Sequence, residues 1–179
     1  MEFFRRLTER ERAAGRLPAG YVYTLPTEAQ WEYACRAGTT TAFHTGETLD
    51  ASQATFARPT DYNPEGGWTW SVSGETSEPV GSYPANAWGL HDMHGNVAEW
   101  CVGAAGPYPG GEVAHPVGIH PGDKPMLYDR GGAWIDKADN CRSAAREGHF
   151  MVFAGGLIGF RVALSPAPEN VLLRASAEE

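Results

Sequence analysis

Apolar and polar positions alternate in three local patterns along this chain. Residues 2–14, EFFRRLTERERAA, put Phe3, Phe4 and Leu7 on a narrow stripe flanked by Arg and Glu. That spacing predicts a helix, with Gly15 placed to cap its end. Residues 21–25, YVYTL, alternate and are rich in β-formers, which predicts a strand. Thr27 followed three positions later by Gln30 is a capping box. A second helix is expected from there to Gly38, with Trp31, Ala34 and Cys35 on one face. From Thr39 to about Asn86 the periodicity is too weak to assign elements, although Trp68 and Trp70 alternate. Residues 88–100, WGLHDMHGNVAEW, are dense in turn formers, and 106–127 form a long Pro/Gly loop of the kind that carries function or wraps a surface. Residues 158–164 alternate again, with Ile158, Phe160, Val162 and Leu164 on one face of an expected terminal strand. Residues 166–179 read as a loose tail.

Composition narrows the class. The 179 residues suit one domain with a real core. Gly and Pro make up about a fifth of the chain, above the usual level, and six Trp, seven Tyr and seven Phe accompany them. This is a loop-rich, aromatic-rich chain and not a helical bundle. The formal charge is −8, and Lys124 and Lys137 are the two lysines. A nucleic-acid binder needs a basic face to neutralise phosphates, so no nucleic-acid partner is expected. No apolar run reaches the roughly 18–20 residues of a membrane span, and the charged start MEFFRRLTERER is not a secretory leader. A cytoplasmic protein with no membrane partner is the expectation. Three cysteines, Cys35, Cys101 and Cys141, are not a disulfide framework but leave room for one bridge.

Four phrases in order carry a resemblance: Leu25-Pro26-Thr27-Glu28-Ala29-Gln30-Trp31-Glu32-Tyr33-Ala34, Gly89-Leu90-His91-Asp92-Met93-His94-Gly95-Asn96-Val97-Ala98-Glu99-Trp100, Arg130-Gly131-Gly132-Ala133-Trp134 and Gly159-Phe160-Arg161. Together they resemble the formylglycine-generating enzyme (sulfatase-modifying factor) family. The resemblance implies a loop-rich α+β fold of the C-type-lectin-like type, with two helices and short antiparallel strands. It implies one domain over 1–165 that lacks the N-terminal third of a typical family domain. The family holds copper-dependent oxidases that convert a sulfatase cysteine to formylglycine, sulfoxide synthases, and non-catalytic ligand-display proteins.

The copper enzymes use two cysteines after a Gly-Gly-Ser segment. Here Ala133 replaces the serine. Counting forward from Gly131-Gly132, Asp136 takes the first thiolate's place and Cys141 the second; counting back from Ala144-Ala145-Arg146, Cys141 matches neither. A carboxylate is a hard ligand and suits Cu(I) poorly, so Cys141 is the one candidate catalytic residue and oxidase activity on sulfatase cysteines is not expected. The resemblance also implies a disulfide from the second helix to the strand near Arg142. Cys35 and Cys141 form such a pair or stay buried thiols.

Calcium is the second implied cofactor. Asn96, Val97 and Glu99 would supply hard oxygens from one turn. The alternative is a turn in which Asn96 bonds its own backbone and Glu99 meets an arginine. A further family calcium site has Thr55, a weaker ligand, at its place. His91 and His94 have a metal-pair spacing, but a loop role is expected. Gly131-Gly132 read as tight packing, and Arg142, Arg146 and Arg161 as internal hydrogen-bond donors. If the chain is a display domain, loops 134–139 and 146–153 would contact a protein or small ligand through Trp134, Ile135, Asp136, Phe150 and Phe153. The alternative is that these apolar residues fill the space of the absent third, or that an oligomer or partner chain completes the core.

Overall fold

A computed structural model describes residues 2–63, 67–72, 76–104, 126–150, 152 and 155–167. In chain order the elements are helix α1 (Glu2–Ala13), strand β1 (Tyr21–Thr24), helix α2 (Glu28–Arg36), and strands β2 (Ala57–Asn63), β3 (Gly67–Val72), β4 (Ala98–Ala104) and β5 (Met126–Arg130). A single 3-10 turn at Ala138–Cys141 precedes β6 (Glu147–Phe150), β7 (Ile158–Gly159) and β8 (Ala163–Pro166). The chain folds as two compact units, one made of residues 1–26 and 161–179, the other of residues 27–160.

In the smaller unit, β1 pairs antiparallel with β8, from Tyr21 opposite Pro166 to Thr24 opposite Ala163. Of the stripe on α1, Phe4 is buried whereas Phe3 stays exposed. Thr8 reaches across to accept the Tyr23 backbone N–H at 3.0 Å. Gly15, at φ +68°, closes α1 through its N–H to the Arg12 carbonyl. The Ala167 N–H donates to the Gly20 carbonyl, so ordered pairing continues one residue past β8. Residues 168–179 of the expected tail lie outside the described residues.

The larger unit is built on a mixed four-stranded sheet in the order β6-β5-β4-β7. The two long pairings are antiparallel and β7 joins β4 in parallel. A separate antiparallel pair, β2 with β3, supplies the strands that weak periodicity left unassigned. Local signals place α2: Thr27 accepts the Gln30 N–H and the Gln30 side chain accepts the Thr27 N–H. Asn86, 5% exposed, donates to the carbonyls of Ala34 and Cys35 near the helix end and accepts from the N–H groups of Trp88 and Leu90. Trp31 and Cys35 face inward as expected and pack with Met93 and Cys101. The Trp31 indole donates to Glu99 Oε2 at 2.7 Å.

The alternation of residues 158–164 does not make one buried strand face. β7 ends at Gly159 and β8 starts at Ala163, and Phe160, Val162 and Leu164 are each between two-fifths and a half exposed. The pattern was a true period of two, but the two halves pair with different strands, one with β4 and the other with β1.

Candidate functional site

Three segments meet where the four motif phrases converge. The turn at Gly95-Asn96 is pinned from two sides. Gly95 donates to the Gly131 carbonyl, Asn96 donates to the Thr55 carbonyl, and Trp134 donates to the Asn96 carbonyl, each at 2.8–2.9 Å. Gly95 has φ +70°, and a Cβ there would stand 2.1 Å from the Thr55 oxygen, so no other residue fits. Past β5 the backbone doubles back through Gly131 and Gly132. A Cβ on Gly131 would press the Trp31 ring at 3.0 Å, and one on Gly132 would lie 2.8 Å from the Cys141 sulfur. The glycine pair is therefore tight packing, as its sequence suggested.

Asp136 closes the next turn. Its Oδ2 accepts the Ala133 N–H at 2.8 Å, and its carbonyl accepts the Ala57 N–H. The serine-to-alanine change thus leaves a segment whose carboxylate is used for backbone support. Cys141 is fully buried against Phe43, Ala54 and Phe56. Burial, with the nearby Asp136 charge, pushes its thiol up to about 12, far from the thiolate a metal or a nucleophilic role requires. Cys35 and Cys101 are likewise buried, and all three cysteines are thiols outside any disulfide. The residue that meets Cys35 is Ser143, with sulfur and hydroxyl oxygen 3.5 Å apart. A contact from this helix therefore exists near the place the family resemblance implies, but its far member is a serine in a turn, two places beyond Cys141. A two-thiolate copper site does not fit these residues: one thiol, protonated and enclosed, faces a carboxylate already bonded to backbone.

In the turn expected to hold calcium, the Asn96 side chain bonds a residue outside that turn. Asn96, at φ +64°, accepts the Glu78 N–H at 3.1 Å and donates to the Glu78 carbonyl at 3.2 Å. Its amide clasps the backbone of a residue 18 positions away. Glu99 bonds the Trp31 indole, while the Val97 side chain packs by Gly159. The two polar side chains address different partners, and no cluster of three His, Cys, Asp or Glu is placed to hold a metal among the described residues. Asn96 and Glu99 thus each bond a protein partner in this structure.

Of the proposed contact residues, Trp134, Ile135 and Asp136 are consecutive and half-buried or exposed. Phe150, half-exposed, pairs with Met126 at the other end of β5 from the Trp134 turn. The five residues of β5, about 13 Å from end to end, lie between these two places. Phe153 lies outside the described residues, as do 105–125 of the long loop.

Sequence reasoning passed over what lies beside the 134–139 turn. A cavity of about 440 Å³ is lined by Phe43, Leu49, Phe56, Arg58, Ala138 and Asp139 among others. The Arg58 Nε is buried with no hydrogen-bond partner among the described residues. Behind this wall His94 is 3% exposed. It stacks on His44 at 4.8 Å, and its Nδ1 lies 2.7 Å from the Cys141 carbonyl. Its Nε2 accepts the His44 N–H, which fixes the proton on Nδ1. Desolvation pushes His94 down to about 4. His94 is thus a neutral structural residue, consistent with the loop role expected of it.

A model of the sulfatase-modifying factor enzyme 1-like domain matches residues 1–166, and the chain belongs to this family. The formylglycine-generating enzyme of Mycobacterium tuberculosis is 33% identical over 156 residues, covering 79% of this chain and 51% of that protein. The serine/threonine-protein kinase pkn1 of Chlamydia caviae is 38% identical over 143 residues, covering 78% of this chain and 20% of the kinase. Among solved structures, Treponema denticola variable protein 1 superposes with a TM-score of 0.62 at 29% identity, covering 82% of this chain and 48% of that one. PvdO from Pseudomonas aeruginosa gives 0.63 at 27% identity, covering 89% and 58%. The chain spans about half, or less, of these relatives' length. The two helices and the mixed and antiparallel sheets belong to the loop-rich α+β, C-type-lectin-like fold of these neighbours. Among the described residues no helix is long and apolar enough to cross a membrane.

Proposed function

We propose that this chain is a ligand-binding member of the family that has lost the copper oxidase chemistry and uses the surface beside the 134–139 turn for recognition. One observation carries the reading. The segment from Gly131 to Ser143 offers a single thiol, fully buried and held near 12, and its carboxylate serves the backbone. Copper in a relative of this kind would need two soft, ionised ligands within reach of substrate. The exposed Ile135 and the open cavity next to Ala138 and Asp139 support a contact role for the same turn. The kinship with Treponema denticola variable protein 1 is consistent with it.

The test is a Cu(I) titration against a competing chelator, run with mass spectrometry of a cysteine peptide incubated with the copper-loaded chain. The expected result is no thiol-dependent copper binding, an identical titration for Cys141→Ser, and an unmodified peptide. Conversion of the peptide's cysteine to formylglycine, lost in Cys141→Ser, overturns the proposal.

A further inference from the structure

We propose that the chain forms a symmetric dimer through strand β8, with the β8 of a second copy pairing antiparallel to the first about Leu164. The surface beside the 134–139 turn plays no part in it. Every observation for it lies in the smaller unit, where β1 and β8 make a two-stranded sheet. Such a sheet is marginal unless a neighbour covers a face or extends an edge. The Ala167 N–H donates to the Gly20 carbonyl at 2.7 Å, one step beyond the pair Tyr21 and Pro166. Ladder bonds alternate, so Val22 with Ser165 and Thr24 with Ala163 exchange the next ones. Tyr21, Tyr23, Leu164 and Pro166 therefore turn their backbone groups outward. On β1 both outward N–H groups are taken: Tyr21 donates to the Pro18 carbonyl at 3.2 Å, and Tyr23 to the Thr8 hydroxyl at 3.0 Å. The outer edge of β1 is thus closed by α1 and the turn before the strand.

The outer edge of β8 is open. The outward N–H of Leu164 has no partner among the described residues. Proteins usually blunt such an edge with charge, and neither YVYT nor ALSP contains a charged residue. Pro166 lacks an N–H and blunts only the far end of the strand. The register sets Tyr21 opposite Pro166 and Tyr23 opposite Leu164 on one face. On that face Tyr21 is 37% exposed and Leu164 43%, and Val162, just before the strand, is 43% exposed. Two arguments select a second copy as the occupant. The first is closure. With Leu164 on a twofold axis, the N–H of each copy donates to the carbonyl of the other, and the sheet becomes β1-β8-β8-β1. Both of its outer edges are then closed by α1, so assembly ends at two chains. The second is charge. The smaller unit holds seven of the 14 basic residues and six of the 22 acidic ones, so the acidic surplus of the chain sits in the larger unit. Copies of a chain of net charge −8 repel one another least through the unit that lacks the surplus.

Sedimentation velocity on the 179-residue chain, over about a hundredfold range of concentration, tests this. The expected result is a monomer–dimer equilibrium with no larger species. Leu164→Lys sets two ammonium groups against each other at the axis and should weaken the dimer at least about tenfold. Its side chain is already partly exposed, and far-ultraviolet circular dichroism with a urea midpoint confirms that the variant is folded. Cysteine cross-linking reads the register independently of any loss of stability. Under mild oxidation Leu164→Cys should give a disulfide-linked dimer well ahead of Arg5→Cys, placed on the exposed face of α1. A monomer at every concentration overturns the proposal, because the open edge then serves another occupant or none. So do oligomers that keep growing with concentration, a dimer unchanged in Leu164→Lys, or cross-linking no faster at position 164 than at position 5.

Discussion

Around Trp31 the buried charges are paired with opposite charges, whereas around Phe43 and Phe56 two buried nitrogens stand unmatched next to a hollow. In the first region Arg130, with a fully buried side chain, lies between Glu28 at 3.3 Å and Glu32, and also donates to the Ser143 carbonyl at 3.0 Å. Arg146 adds two bonds to Glu28 at 2.6 and 2.7 Å and lies over the Tyr128 ring. In the second region Arg58 Nε and His44 Nδ1 are buried without partners among the described residues. Dense, ion-paired networks specify a core, and a hollow lined by charged side chains is open to a ligand. The contrast assigns scaffold to one side of the 27–160 unit and recognition to the other.

The largest effect that can break this comparison is removal of Arg130. Arg130→Ala would empty a fully buried site and leave Glu28 with Arg146 and Glu32 with Arg36 as their remaining partners, a loss on the scale of about 3 kcal/mol. Urea unfolding reads it as a lower midpoint with an unchanged slope. Arg130→Met, which fills the volume but deletes the charge, should recover only part of it, because Glu28 and Glu32 each lose one partner. A variant as stable as the parent would mean that the network is ornamental and the contrast false.

Next come two buried titrations that oppose each other. His94 is held down, from 6.5 to about 4, chiefly by desolvation. The folded state therefore binds fewer protons there than the unfolded state, and its contribution to stability is lost as pH falls from about 6.5 toward 4. Asp129 is held up, from 3.8 to about 6, chiefly by desolvation and in spite of its 2.6 Å bond with His149. Its contribution is present below about 4 and is lost as pH rises to about 6. Each shift is worth about 3 kcal/mol by the usual conversion, so the parent's stability should be nearly flat across this window. His94→Gln should leave a curve that falls as pH rises from 4 to 6, and Asp129→Asn one that rises. Urea midpoints across the window decide it. Parallel curves for both variants would remove these groups from the account.

The sequence was legible where its signals are local. The capping box at Thr27 and Gln30 and the inward face of Trp31 and Cys35 involve neighbours within a few positions. Gly131 and Gly132 could also be read, because a doublet before a tryptophan has few uses besides close packing. What stayed hidden depends on distant pairing. Ser143 as the neighbour of Cys35 is set by 108 residues of intervening chain. Asn96 was expected to bond its own turn or a cation, and its amide clasps Glu78 instead. Residues 158–164 hold one alternation that two different partner strands divide. The cavity was missed because Phe43, Phe56 and Arg58 sit in a stretch without periodicity, and an unmatched guanidinium has no sequence signature.

The smallest expected effect lies on α1, which tests whether burial, and not the count of ion pairs, separates scaffold from surface. Arg5 pairs with Glu2 and with Glu9, each at 2.6 Å, and its side chain is 57% exposed. By distance alone these contacts are as close as those of Arg146 with Glu28. Water solvates both charges in the folded and unfolded states, and salt screens what attraction remains. Arg5→Gln should therefore leave the urea midpoint within experimental error of the parent, and raising the salt should not separate the two. A loss approaching that of Arg130→Ala would show that the α1 ladder holds the smaller unit together, and the ordering by burial would fail.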